Sequence, residues 1–457
     1  MKILLISANV ATSPYPIFPI GMSMVASALK KEGHEVELFD FLQNDCSFDR
    51  VKETVLAAAP ELVGISIRNV DNVNAAHEQR YIENVRRIVQ GVKAETDVPV
   101  MLGGSGFSVM PEEVLERVGA DYGIVGEGEA LLCDFIRKLE TGTLPAERIL
   151  RAPQQLQNEA IPSAHYDPVM LDYYLDAARV ISIQTKRGCD KCCIYCSYPI
   201  LEGRELRMRN VTKVVDDIER LLENKADYIF FVDSVFNDSQ GNYRELIAEM
   251  HRRAINVPWT AFFTPGGELD DEIVAQMKAT GLHAAEIGAD ASTDTTLRGL
   301  CKDFLWKDVI ECNELFRRHE VTTAHYYMFG GPGETPETVK EGIENIRNLP
   351  HTANFMFMGI RILPNTPLMD LARREGLIAD DQEMLKPVYY ISKEIDRDGL
   401  EQILTEGFAD RINCVFPPDA MDDKLIILHK MGFSGSCYDM LVKKSESPRR
   451  KRKQDAE

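Results

Sequence analysis

The strongest constraint on this chain's fold is a rhythm. Short, continuously apolar runs alternate with amphipathic stretches long enough for a crossover helix. Over residues 1–142 the runs are "ILLIS" (3–7), "EVELFD" (35–40), "ELVGISI" (61–67), "VPVMLGG" (98–104) and "DYGIV" (121–125). Such short apolar runs read as strands buried on both faces, and parallel strands need long crossover connections. The stretches 21–33 and 73–94 are long enough to supply them. Five such units predict an α/β domain on a doubly wound parallel sheet, with ligands at the carboxyl ends of its strands.

A Pro-containing stretch, "LRAPQQLQNEAIPSAHYDPV" (150–169), breaks the rhythm and reads as a linker. A second series follows: "VISIQT" (180–185), "DYIFFVD" (227–233), "WTAFF" (259–263), "HAAEIG" (283–288), "VTTAHYYMF" (321–329) and "NFMFMGIRI" (354–362). Helical stretches at 211–224, 241–254, 270–280, 305–319 and 336–348 separate them. Six β–α units predict a partial (β/α)6 TIM-type barrel with its chemistry on the loops at the strand carboxyl ends. The resulting division is a first domain at 1–145, a linker at 146–175 and the barrel at 176–370. A small mixed C-terminal region follows at 371–442, then a disordered basic tail at 443–457.

The formal net charge of −20 argues against a nucleic-acid surface, although the last fifteen residues carry seven Lys or Arg. No run has the length of a transmembrane segment, and "MKILLISANV" enters a strand directly without a cleavage signal. A cytoplasmic location is expected, where clustered thiols stay reduced and more often hold metal than form disulfides.

Four of the ten cysteines crowd into "GCDKCCIYCSYP" (188–199), directly after the first strand of the second series. Cys189, Cys193 and Cys196 form C-x3-C-x2-C. Three thiolates reach three irons of a cubane and leave the fourth open to a small molecule. A structural zinc site would use four thiolates in separated pairs, and adjacent Cys192 and Cys193 converge poorly on one ion. A redox pair of Cys189 and Cys192 is the other competing reading. Cys192 leaves the ligand set ambiguous by counting alone, and Tyr195 before Cys196 favours the 189/193/196 set.

This loop resembles that of the radical S-adenosylmethionine (SAM) superfamily, whose pattern is C-x3-C-x-aromatic-C. "GGPGETPET" (330–338) is similar to the Gly-Pro-Gly-Glu-Thr turn of many members, and "LPNTPL" (363–368) to their Pro-Gly-Thr-Pro-Leu element, with Asn365 in place of Gly. The resemblance implies SAM contacts at Gly331 and Pro332. It also implies them at Asp233 and Ser234 in "DSVFN" (233–237), and at Asp290 and Ser292 in "EIGADAST" (286–293). Gly266-Gly267-Glu268 spells the superfamily's Gly-Gly-Glu motif but follows the third strand rather than the second, so Asp233 is expected in its place.

With that barrel behind it, the first domain resembles the Rossmann-like cobalamin-binding domain of cobalamin-dependent radical SAM enzymes, over roughly residues 1–370 in all. The dinucleotide fingerprint G-x-G-x-x-G is absent after its first strand. The histidine motif Asp-x-His-x-x-Gly is also missing, and His34 reads as a turn residue. The resemblance then implies cobalt held without a protein histidine, with Ser66, Arg68 and Asn69 covering its lower face. Gly103, Gly104, Ser105, Gly106 and Phe107 would line the nucleotide tail, with Gly126 and Glu127 beside them.

The cofactors implied are a 4Fe–4S cluster, SAM and cobalamin, with a flavodoxin or ferredoxin as electron donor. The activity implied is reductive cleavage of SAM to a 5′-deoxyadenosyl radical and methylation of an unactivated carbon through methylcobalamin. The alternative in the same superfamily is a cyclase, oxidase or rearranging enzyme without net methyl transfer. A corrinoid carrier or iron–sulfur sensor is a third reading, disfavoured by the retained turn motifs. The apolar, aromatic tone of "KPVYYIS" (386–392) and "LHKMGFSGSCYDML" (428–441) suits a small or lipid-like substrate. Tyr389, Tyr390, Tyr438 and Cys437 are candidate hydrogen donors to a product radical, with Cys414 a core cysteine by the commoner reading.

Overall fold

The computed structural model describes residues 1–266 and 269–446. Its first sheet is parallel throughout, in the order second, first, third, fourth, fifth, sixth strand. The strands are Lys2–Ser7, Glu35–Asp40, Leu62–Ser66, Val100–Gly103, Tyr122–Val125 and Ile149–Arg151. Chain order reverses between the first and third strands, where ligands of doubly wound sheets bind. The register aligns Ser7 with Ser66 and Ser66 with Gly103, so three strands end in one row.

Two features of this region differ from the expected pattern. The sixth strand and the helix Pro168–Ala178 both arise from the stretch read as linker. The strand pairs three residues, Gly123–Val125 with Ile149–Arg151, too few for an apolar period to show. Helix 73–94 also starts late, at Ile82, because Asn72 and Asn74 fold the preceding residues into side-chain-bonded turns. Asn72 Nδ2 donates to the His77 carbonyl at 2.7 Å, and Ala76 N–H to Asn74 Oδ1 at 3.1 Å.

The second sheet runs in simple sequence order through Val180–Ile183, Tyr228–Phe231, Trp259–Phe263, Leu282–Asp290, Thr322–Phe329 and Thr352–Met358. A seventh strand, Cys414–Val415, extends it from the C-terminal region by pairing with Asn354 and Phe355. The partial barrel therefore has one strand more than its six β–α units. The helix Tyr438–Glu446 takes up residues 443–446, which were expected in the basic tail. Val442 and Tyr438 pack against Ala284, Ala324 and Ala353, and this burial is what orders the helix. The rest of the basic run, 447–457, lies outside the described residues, as do Gly267 and Glu268 of the Gly-Gly-Glu triplet. No helix among the described residues is long and apolar enough to cross a membrane.

Buried charge joins the domains. Arg361 Nε donates to Asp71 Oδ2 at 2.9 Å, with both side chains buried. Glu127 and Glu129, after the fifth strand of the first sheet, face Arg187 and Arg207, which flank the cysteine loop. Arg207 lies 2.6 Å and Arg187 3.3 Å from Glu127, and Arg187 donates to Glu129 at 2.5 Å. Removing one partner of a buried ion pair costs about 3–5 kcal/mol, whereas an exposed pair contributes about 1 kcal/mol or less. Glu127→Gln should therefore lower stability by about 3 kcal/mol, read as an earlier urea midpoint. Glu112→Gln, at the exposed Arg151 pair, should leave the midpoint within error.

Candidate active site

The cysteine loop leaves the barrel through the two-residue strand Lys186–Arg187, paired antiparallel with Arg207–Met208. Gly188 opens it at φ +92°, and a Cβ there would lie 1.9 Å from the Glu205 carbonyl oxygen, so only glycine fits. Cys189 N–H donates to Gly203 at 3.1 Å, Ile194 N–H to Leu300 at 3.2 Å, and Leu368 N–H to Ile194 at 2.9 Å. The last bond ties "LPNTPL" to the loop. Cys189 is buried and Cys193 and Cys196 are half-buried, while Cys192 is exposed with Arg204 Nη1 3.8 Å from its Sγ. The loop thus sets Cys192 apart from the other three.

Burial pushes the Cys196 thiol up to about 12, and charge on Cys193 or Cys189 pushes it the same way. Burial also raises Cys193, against the pull of Lys302. The three thiols therefore lie within electrostatic reach of one another, and binding a metal centre would displace their protons. Among the described residues no three His, Cys, Asp or Glu side chains are close enough to share one metal ion. Three buried or half-buried thiols on one loop, with Cys192 turned out to solvent, are a donor set that three irons of a cluster would take, whereas structural zinc takes four ligands.

Lys302 was not singled out by the sequence, yet it sits beside Cys193. It ion-pairs with Asp290 and donates to the Tyr195 hydroxyl and the Gly288 carbonyl, both at 3.2 Å. Tyr195 also donates to Asp290. Asp290, at φ +62°, is thereby committed to the loop.

The residues expected at SAM also make bonds and contacts within the fold. Asp233 is buried and accepts from Thr185 N–H at 2.7 Å and Lys186 Nζ at 3.3 Å. Ser234 Oγ donates to the Gly188 carbonyl at 2.8 Å and anchors the loop. Ser292 is packed on Gly342, where a Cβ would lie 2.3 Å from Ser292 Oγ. Around Gly331 and Pro332 the turn closes on itself. Glu334 accepts from the Gly330 and Gly331 N–H groups, and burial pushes its carboxyl up to about 7. The Pro332 carbonyl would lie 2.1 Å from a Cβ at Gly299, which packs this turn on the helix preceding Lys302.

One cavity of about 1200 Å³ joins the carboxyl ends of the first sheet to the barrel interior, and Ser197 and Tyr198, just after Cys196, share its wall. Every first-domain residue expected at the corrinoid lines it except Phe107. Phe107 is core: its ring would lie 2.0 Å from a Cβ at Gly123. Gly104, at φ +91°, and Gly106 allow close packing on Ile67, whereas Gly103 faces open space. Glu127 lines the cavity and is also bound by the arginines above, as part of the domain joint. Among the described residues the Arg68 guanidinium has no hydrogen bond or ion pair, and no histidine lines the cavity.

Tyr389 and Tyr390 do not line the cavity. Tyr390 donates to Glu375 at 2.8 Å, and the Tyr389 hydroxyl is buried without a partner among the described residues. Cys437 and Tyr438 do line it, with burial pushing the Cys437 thiol up to about 11. Cys414 is buried beside Asn354, whose Nδ2 lies 3.7 Å from its sulfur. Sequence reasoning also missed Glu286, a buried carboxyl on the fourth barrel strand that accepts from Tyr326 at 3.0 Å and Tyr438 at 3.3 Å. An acidic residue inside the apolar run "HAAEIG" was the available signal.

A family model of the B12 binding domain matches residues 6–136, and one of the Radical SAM superfamily matches residues 183–346. The chain is 25% identical to the tryptophan 2-C-methyltransferase of Streptomyces laurentii, over 88% of this chain and 82% of that one. It is 24% identical to the anaerobic magnesium-protoporphyrin IX monomethyl ester cyclase of Rubrivivax gelatinosus, over 74% of this chain and 63% of that one. Its fold is similar to the solved radical S-adenosylmethionine methyltransferase TsrM of Kitasatospora setae, with cobalamin and a 4Fe–4S cluster bound. That match has a TM-score of 0.83 at 24% identity, covering 97% of this chain and 98% of that chain.

Lys302→Ala should slow iodoacetamide alkylation of Cys193 in metal-free protein near neutral pH, because the lysine lowers that thiol's pKa and its loss leaves less thiolate. Peptide mapping by mass spectrometry checks this, with exposed Cys192 as the unchanged internal reference.

Proposed function

Because the chain belongs to the cobalamin-dependent radical SAM superfamily, with a B12-binding domain followed by a radical SAM domain, we propose that it methylates an unactivated carbon of a small molecule. The single cavity running from the ends of the first sheet into the barrel, with the cysteine loop at its edge, carries this reading. When bound, the cluster, SAM and cobalamin supply an electron, a radical initiator and a transferable methyl group.

The chain's own residues hold these groups in register and exclude water. Cys189, Cys193 and Cys196 hold the cluster, while Cys192 stays outside it. Asp290 and Tyr195 act through Lys302 as positioning residues for the loop. Ser66, Arg68 and Asn69 line the cavity at the end of the third strand of the first sheet and would hold the corrinoid there, with no histidine among the described residues lining that cavity. Gly103 and Ser105 form the open shelf beside it, and Ser105 Oγ is fixed by donating to the Arg68 carbonyl at 2.7 Å. An electron donor of the flavodoxin or ferredoxin kind belongs to this reading, as does a reducing cytoplasm.

A second reading is a radical cyclase or oxidase using the same cofactors without net methyl transfer, favoured by the similarity to the cyclase of Rubrivivax gelatinosus. Products separate the two. Methylation should generate S-adenosylhomocysteine beside 5′-deoxyadenosine, whereas the second reading predicts 5′-deoxyadenosine alone. After anaerobic reconstitution the protein should hold about four irons and about one corrinoid. Alanine at Cys189, Cys193 and Cys196 together should remove the iron, and Cys192→Ala should retain it. A protein that takes the cluster but rejects cobalamin would rule out methyl transfer through cobalt.

A further inference from the structure

We propose that the C-terminal face of the protein, built on the helix Asp422–Lys430 and the loop after it, is a docking surface for an anionic lipid membrane. The contact is peripheral, and it concerns where the protein works rather than the reaction it performs.

The helix carries apolar residues on two opposite sides. Leu425 packs inward on Tyr15, Val180, Tyr228 and Phe230. One turn on, buried His429 has its Nε2 2.8 Å from the Gly435 carbonyl oxygen. The side turned away from these two holds Lys424, Ile427 and Met431, at the i, i+3 and i+7 spacing of a single face. A surface helix of a soluble protein turns polar and charged groups to water there. Here Ile427 is 56% and Met431 68% exposed, and Phe433 just beyond is 42% exposed. Nine large apolar or aromatic side chains are exposed among the described residues, and three of the nine fall within 427–433. Single exposed apolar residues are ordinary, whereas a cluster of them marks a contact surface.

Cations border the cluster. Lys443 and Lys444 line a groove together with Phe433, and Lys444 also lines the large cavity, as do Lys424 and Ile427. The groove and the mouth of the cavity therefore meet at Lys444 in one face. Lys424 Nζ lies 3.3 Å from the Met421 sulfur, and Lys424, Lys430 and Lys444 have no acidic partner among the described residues. The neighbouring acids are mostly taken. Asp422 accepts from Ser13, Asp439 faces Lys443 at 2.9 Å and Glu446 faces His351 at 3.2 Å, which leaves Asp423. The sequence carries the same sign onward. Residues 424–457 hold nine Lys or Arg against four Asp or Glu, in a chain whose formal net charge is −20.

These features select the partner. An anionic membrane repels so acidic a body except at this end, which also fixes the orientation of approach. Its headgroups suit the lysines and its apolar layer suits Ile427, Met431 and Phe433, and stable attachment takes two such signals together. A nucleic acid would take the lysines and leave the three apolar side chains in water. Docked by this face, the protein would open its large cavity toward the lipid surface.

The test is flotation of the full-length, reconstituted protein with vesicles of phosphatidylcholine alone or with about one-third phosphatidylglycerol. Binding to the anionic vesicles should be about tenfold tighter, and high salt should remove most of the difference. Serine at Ile427, Met431 and Phe433 together should weaken it about tenfold. Met431→Ser alone, at the most exposed of the three, should weaken it in the same direction, and carries the test if the urea midpoint of the triple variant falls. Glutamine at Lys424, Lys430 and Lys444 should narrow the preference for phosphatidylglycerol. A wild type that ignores anionic vesicles overturns the surface, as does binding that the serine variants leave intact. Tighter binding to a DNA duplex than to the anionic vesicles would assign the cations to nucleic acid and overturn it as well.

Discussion

Two arginines and two glutamates, buried between the domains, fix where the cysteine loop stands relative to the first sheet. Arg187 and Arg207 come from the paired strands that frame the cysteine loop, and Glu127 and Glu129 from the N-cap and first turn of the helix Gly128–Glu140 that follows the fifth strand of the first sheet. The Leu156 backbone completes the joint, its N–H donating to Glu127 at 2.6 Å and its carbonyl accepting from Arg207 at 2.5 Å. Apolar contact between the domains is non-directional and tolerates sliding. Charge-assisted bonds of fixed length do not, so the joint supplies the register that two cofactors reacting with one substrate would require.

The same physics explains why buried carboxylates here divide into two kinds. Asp233 faces Lys186, Asp290 faces Lys302, Asp71 faces Arg361 and Glu127 faces two arginines. Each is spent on holding a loop or a domain in place. Glu286 has only neutral tyrosines, and Glu334 only backbone N–H groups of its own turn. Both are pushed up to about 7, but Glu334 closes a glycine turn whereas Glu286 lies behind Tyr326 and Tyr438, which do line the cavity. Residue type and burial alone do not separate structure from function. The partner does.

This division also governs what could be read from the sequence. Strands and helices of both sheets were legible because long apolar periods, capping residues and glycine turns are local signals; Thr335 before Pro336, for instance, caps the helix Pro336–Asn348. The cysteine spacing was legible for the same reason. Ile149–Arg151 and Cys414–Val415 were not, since strands of three and two residues carry no period. Asp233 was read as a ligand contact because its position after the second barrel strand is visible, while the Lys186 and Thr185 bonds that occupy it are set by folding. Lys302 was invisible for the converse reason. It is 109 positions from Cys193 by residue number, and only the turn of the helix Asp294–Gly299 brings it to the loop.

Two buried groups stand without an ion pair on either side of Tyr15, Arg68 lining the cavity from the first domain and Glu286 behind Tyr326 and Tyr438 in the barrel, and both act on Tyr15 electrostatically. Burial lowers the pKa of the first and raises that of the second, so each is strained toward neutrality where it stands. Had they been in contact they would have formed one more ion pair of the kind seen at the domain joint. Held apart, they leave a cation on the loop after the third strand of the first sheet and a carboxyl in the barrel that shares its bonds with tyrosines alone.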